Sequence, residues 1–149
     1  MRYLGLDLGT KTLGISISDK LGIVATTYKT LHFEEANYSS LIDELKKIIE
    51  IEKIDLIVLG LPKNMNNTCG EATERTMNFK NLLNQNINIK VELQDERLTT
   101  KEADSYMIQA GVSRKKRKKK IDSLAANIIL QTYLDKIRGG YYGKWKNDI

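Results

Sequence analysis

RYLGLDLGTKTLGISI, residues 2–17, reads as two strands joined by a tight turn. Leu4, Leu6 and Leu8 fall on one face of the first strand, and Tyr3, Gly5, Asp7 and Gly9 fall on the other. Leu13, Ile15 and Ile17 share a face of the second run, which Gly14 interrupts. Asp7 breaks the apolar logic, because a carboxylate in mid-strand is costly to desolvate unless something pairs with it. Its same-face neighbours are glycines, which leave room for a phosphate or a cation to come close. The turn Gly9-Thr10-Lys11-Thr12 adds two hydroxyls and one cation, all suited to holding a phosphate. An ion pair between Asp7 and Lys11 across the hairpin is the alternative.

Working outward, the composition sets bounds. A chain of 149 residues, 41% hydrophobic and 29% charged, suits one domain with a real core, expected over residues 1–138, followed by a tail over 139–149. The net charge of +5 favours polyanionic partners. Cys69 is the single cysteine, so an internal disulfide is excluded and a reducing cytoplasm is expected. The first residues begin a strand rather than a signal peptide, and no apolar run reaches the ~18–20 residues of a membrane span.

After the hairpin, Asp19-Lys20 turns the chain into a third strand, expected over Ile23–Tyr28, completing an antiparallel meander with His32 in the loop beyond. Leu41, Ile42, Leu45, Ile48 and Ile49 have helical spacing, with Asn37 as the expected cap. The apolar run Ile54–Leu59 fits a strand buried on both faces, ending at Gly60-Leu61-Pro62 before a polar loop, Lys63–Gly70. Glu71–Asn84 reads as a second helix. Ile87, Ile89, Val91 and Leu93 alternate strictly with polar residues, which marks a half-buried strand near an edge. That strand runs into Asp95-Glu96, at the C-terminal end where open α/β sheets place their sites. Thr99 and Glu102 have capping-box spacing for a helix reaching about Gln109.

Arg114–Lys120 is seven cations in a row, whose mutual repulsion predicts a flexible loop gripping nucleic acid. A long helix is then expected over Ile121–Ile137, buried through Ala125, Ile128, Ile129, Thr132 and Ile137, with Asp122 in its first turn. Asp7, Asp95 or Glu96, and Asp122 converge if the strands share a sheet and this helix packs on it. Clustered carboxylates repel unless divalent cations neutralise them, and carboxylate oxygens suit Mg²⁺ or Mn²⁺. With a basic segment alongside, this points to a two-metal nuclease, a hydrolase acting on phosphodiester bonds. The order βββαβαβα fits an α/β, ribonuclease H-like fold: a mixed five-stranded sheet, three antiparallel strands then βα units, flanked by helices.

Four segments, DLGTKTLGISIS at Asp7–Ser18, GLPKNMNNT at Gly60–Thr68, DERLTT at Asp95–Thr100 and KKIDSLAANIIL at Lys119–Leu130, resemble the YqgF (RuvX) family. Its members are described both as Holliday-junction resolvases and as pre-16S ribosomal RNA nucleases. The resemblance implies a cytoplasmic, metal-dependent nuclease of ribonuclease H-like fold. Matched motif to motif, the family's acidic positions fall on Asp7, Glu96 and Asp122, the implied catalytic residues and Mg²⁺ or Mn²⁺ ligands. Within and beside the same segments, substrate contacts are expected from Thr10, Lys11, Asn64, Arg97, Thr99, Lys115, Lys116, Lys119 and Lys120.

The expected partner is structured or precursor RNA, with branched DNA as the alternative substrate. A monomer or weak homodimer is expected, since no long apolar stripe is left for an obligate dimer. Two rivals differ in class. An Asp-Leu-Gly-Thr strand also resembles the phosphate hairpin of sugar kinases and actin-like ATPases, but those need a second domain and a second hairpin. A nuclease-like domain that clamps nucleic acid without cutting is the other; metal-dependent cleavage by the purified protein separates it from the enzyme.

Overall fold

The computed structural model describes residues 1–34, 37–62, 70–95, 111 and 113–138, with the backbone alone over 114–123. The opening hairpin forms as its alternation requires: β1 (Tyr3–Leu8) pairs antiparallel with β2 (Thr12–Ser18), Asp7 lying opposite Gly14. Next come β3 (Ala25–His32), α1 (Ser39–Glu52), β4 (Leu56–Leu61), α2 (Glu71–Asn86), β5 (Lys90–Asp95) and α3 (Arg114–Ile137). The five strands form one sheet in the order β3-β2-β1-β4-β5. β1 and β4 pair in parallel, as do β4 and β5, so β5 is an edge strand.

The sheet separates two apolar layers. Leu4, Leu6, Leu13, Ile15, Ile57, Leu59 and Val91 pack on α1 and α2 through Leu41, Leu45, Phe79 and Leu83. On the other face Tyr3, Leu56 and Val58 meet Ile129, Leu130 and Leu134 of α3. This second layer is thin where Gly5, Asp7 and Gly14 replace apolar side chains.

Several boundaries differ from the sequence expectation, each for a physical reason. Asp19 Oδ1 accepts the N–H groups of Ile23 and Val24 at 2.7 and 3.1 Å, so those residues close a turn and β3 starts only at Ala25. These N–H donors also lower the pKa of the Asp19 carboxyl. His32 consequently ends the strand rather than sitting in a loop. Asp55 is outside β4: its Oδ2 accepts Arg2 N–H at 2.8 Å, and β4 begins one residue later and runs through Gly60 to Leu61. β5 likewise begins at Lys90 rather than Ile87. Asn37 does not cap α1, whose N-cap is Tyr38 without a side-chain cap; Asn37 Oδ1 accepts the Ser39 hydroxyl instead.

The largest correction concerns the basic run. Arg114–Lys120 is not a loop but the first turns of α3, which is helical for 24 residues. Lys and Arg are good helix formers, and extending a helix whose later turns are already packed needs no new nucleation. Repulsion between the cations opposes this only weakly, each like-charged i,i+4 pair on a helix costing ~0.2–0.5 kcal/mol. Asp122 is therefore the ninth helical residue, not a helix-start anion. The fully buried stripe of α3 is Ala126, Ile129, Leu130 and Leu134; Ile137, expected inside, is exposed.

Candidate active site

The site is built where α3 crosses the hairpin. Ser16 donates its hydroxyl to the Ala126 carbonyl at 2.7 Å, a buried bond that ties β2 to the helix. A Cβ on Gly5 would overlap Ser16 Oγ and lie 2.7 Å from Leu130 Cβ and 3.0 Å from Ala126 O. Glycine is required here because the helix backbone rides directly on the strand. Gly14, opposite Asp7, is also close to Ala126 but leaves normal contact distances, 3.5 Å to Ala126 Cβ and 3.8 Å to Asp7 Cβ.

The direction of α3 follows from its partners. The Tyr133 and Tyr3 rings lie 6.0 Å apart at the start of β1, whereas Ala126 sits over Gly5 and Gly14. The helix thus runs antiparallel to β1, and position 122 lies one turn beyond Ala126 towards the Asp7 end of the strand. The eight residues before it extend the helix by roughly 12 Å in that direction, while β1 has only Leu8 left. The basic segment carrying Lys115, Lys116, Lys119 and Lys120 is an arm continuing past the sheet, in place of the expected loop.

Asp7 is half-buried on the α3 face. Thr10 and Lys11 are exposed in the turn just past β1, and the Gly9 N–H donates to Thr12 O at 2.8 Å to close that turn. On β5, Val91 and Leu93 pack towards α1 and α2. Lys90 and Glu92 instead face Tyr133: burial, then the Glu92 charge, raise the Tyr133 pKa, and the hydrogen bond to Glu92 raises that of Lys90. Strand alternation therefore sets Asp95 on the α1/α2 face, opposite to Asp7, and Gln94 on the same face as Asp7. Asn64, Glu96, Arg97 and Thr99 lie outside the described residues, as do Cys69 and the expected helix after Thr99. Asp122 is placed by its backbone alone. Among the described residues no three His, Cys, Asp or Glu side chains gather closely enough to hold a metal ion. What is described fits a hard cation in kind: a carboxylate on a face lined by glycines, and a buried amide oxygen, Gln94 Oε1, without a donor. Gln94 was not singled out in the sequence, where it reads as the ordinary polar partner of Leu93.

A five-stranded mixed sheet with Asp7 on its central strand under a long C-terminal helix invites comparison with known nucleases. A sequence model of RuvX, described as Holliday junction resolvase, matches residues 1–136. The chain belongs to the RuvX family. It is 50% identical over 137 residues to a Clostridium botulinum (strain Alaska E43 / Type E3) protein named "Putative pre-16S rRNA nuclease", covering 92% of this chain and 98% of that protein. Among solved structures, Thermus thermophilus RuvC in complex with Holliday junction substrate superposes with a TM-score of 0.57 at 12% identity, covering 93% of this chain and 96% of that one. The fowlpox virus Holliday junction resolvase gives 0.52 at 14% identity, covering 92% and 99%. At such identities these two establish the shared fold alone. The RuvX chain therefore has the ribonuclease H-like architecture expected from its element order.

Proposed function

We propose that this RuvX-family chain is a divalent-metal-dependent nuclease that hydrolyses phosphodiester bonds in structured precursor RNA. Its natural target on this reading is the 5′ end of pre-16S ribosomal RNA, the molecule named for its relatives. The observation that carries the reading is Asp7, a carboxylate on the central strand of the sheet, half-buried on a glycine-lined face beneath α3. Asp7, Glu96 and Asp122 would hold Mg²⁺ or Mn²⁺. Support for Glu96 over Asp95 comes from strand alternation, which sets Asp95 on the face opposite to Asp7. Support for Asp122 comes from its place one turn before Ala126.

The bound cations would supply an activated water and charge stabilisation at the leaving oxygen. The chain's own residues do the rest. Thr10 and Lys11, exposed at the end of the hairpin, bind a phosphate next to the scissile one, and Asn64, Arg97 and Thr99 extend that contact. The basic arm of α3 holds the phosphate backbone as it enters, through Lys115, Lys116, Lys119 and Lys120. Among the described residues no helix is long and apolar enough to cross a membrane, and the reading places the enzyme in the cytoplasm with its RNA.

A second reading, Holliday-junction cleavage, is favoured by the description of the family itself. Symmetric junction cleavage needs a two-fold pair of sites, whereas trimming one RNA strand needs one. Incubating the purified protein with Mg²⁺ or Mn²⁺ and either a 5′-extended 16S precursor fragment or a four-way DNA junction separates the two. The RNA is cut and the junction is not. Asp7→Asn loses cleavage beyond the ~10–100-fold typical of disturbing a metal's outer partners, while RNA binding persists. Full activity in Asp7→Asn would overturn the site, and cleavage of the junction alone would replace the substrate.

A further inference from the structure

Gln94 is a buried polar side chain that the reading above leaves unused. It is only 7% exposed, and its Nε2 donates to the Asp95 carbonyl at 3.1 Å. Its Oε1 is closed off from solvent and has no hydrogen-bond donor among the described residues. An acceptor buried without a donor is costly, so such atoms are few in native proteins and point to a missing partner.

Position indicates what that partner is. Gln94 pairs with Gly60 of β4, and the preceding residue, Leu59, pairs with Leu6 of β1. Extending that register by one residue puts Asp7, Gly60 and Gln94 in a single row across three strands, all on the α3 face. Gly60 puts no side chain between its neighbours. Asp7 and Gln94 thus stand on one face two strand spacings apart, roughly 10 Å between Cα atoms. Glu92, two residues earlier on the same face, lies beside Tyr133 of α3.

We propose that Gln94 Oε1 accepts a hydrogen bond from a water carried by the divalent cation at Asp7, and so positions that cation. This rests on the metal-dependent reading of Asp7. The chemistry is an acceptor oxygen facing an O–H donor whose acidity the cation raises, the usual task of a metal's outer partner. Asn127 Oδ1 is also buried without a donor, but it does not belong to this row. Its place on the helix is one residue after Ala126 and four before Gln131, which bonds Ala25 N–H and Ile23 O at the β3 side of the sheet.

The test is Mn²⁺ binding to the full chain without nucleic acid, read from the loss of the free-ion electron paramagnetic resonance signal. The proteins are wild type, Asp7→Asn, Gln94→Leu and Gln94→Glu, with urea midpoints measured in EDTA. Wild type binds Mn²⁺ and Asp7→Asn binds it far more weakly. Gln94→Leu lowers Mn²⁺ affinity ~10-fold, with a metal-free midpoint equal to or above wild type because an orphaned acceptor has been removed. Gln94→Glu keeps the acceptor and retains binding. Gln94→Met repeats the test should the leucine variant fail to fold. Unchanged Mn²⁺ affinity in Gln94→Leu, or in its methionine substitute, overturns the role of Gln94 while leaving the metal site standing. No Mn²⁺ binding by wild type overturns the metal reading itself, and this inference with it.

Discussion

Gly5→Ala tests whether α3 is seated as described, and its cost can be worked from the contacts. The new methyl would overlap Ser16 Oγ and lie 2.7 Å from Leu130 Cβ and 3.0 Å from Ala126 O. Two of these atoms are a Cβ and a backbone oxygen, which cannot swing aside. Ser16 can rotate away only by giving up its 2.7 Å bond to the Ala126 carbonyl. The helix must therefore lift from the sheet. Overpacking costs ~1–3 kcal/mol and the lost hydrogen bond ~0.5–1.5 kcal/mol. Restricting the unfolded chain offsets ~0.4–1 kcal/mol of that. The net loss is about 2 kcal/mol, or a melting midpoint lowered by roughly 4–8 °C. Gly14→Ala is the internal control, since its methyl would meet Ala126 Cβ at 3.5 Å and Asp7 Cβ at 3.8 Å, both normal contacts. Urea unfolding followed by far-ultraviolet circular dichroism gives both free energies. The double variant Gly5→Ala/Ser16→Ala recovers only part of the loss, because the helix atoms still obstruct. If Gly5→Ala proves as stable as Gly14→Ala, the close approach of α3 to β1 is wrong, and with it the placing of position 122 beside Asp7.

Other outcomes follow from the same geometry. Glu96→Gln abolishes cleavage while Asp95→Asn is mild, since alternation puts Asp95 on the α1/α2 face; steady-state cleavage of a labelled RNA checks the ranking, and its reversal would refute the choice. Replacing Lys115, Lys116, Lys118 and Lys119 by Gln keeps the arm helical and flattens the slope of log K against log salt by ~2–3 on single-stranded RNA, at ~0.7 per phosphate contact. Binding measured across a salt series reads this directly, and an unchanged slope would reduce the arm to a solvated surface.

Residues close in the chain were legible where a single period governed them. The hairpin of β1 and β2, the helices α1 and α2, and the edge strand β5 follow from alternation or helical spacing. Asp7 stood out because a charge in an apolar strand needs a reason. Boundaries were less legible, since they turn on single side chains: Asp19 holding two N–H groups delays β3, and Asp55 bonding Arg2 delays β4. The basic run is not legible as helix because charge repulsion acts within its own window, whereas the packing that extends the helix lies outside it. Its helix is an extension of turns whose first fully buried residue among those described, Ala126, lies beyond the run itself.

What the chain determines by itself is thus the element order, the two apolar faces of the sheet and the acidic and basic residue types that suit a phosphate-cleaving site. These depend on local periodicity and on desolvation costs that every residue carries with it. Tertiary structure alone decides which of those residues share a face. Parallel register aligns Asp7 with Gly60 and Gln94 across three strands, and it turns Asp95 away. The close seating of α3 on Gly5 and Gly14 sets position 122 a turn from Ala126 at the Asp7 end of the sheet. Neither is readable in sequence, because both arise from backbones meeting that are separated by some thirty to one hundred and ten residues, as in the pairing of Gly60 with Gln94 and the bond from Ser16 to Ala126.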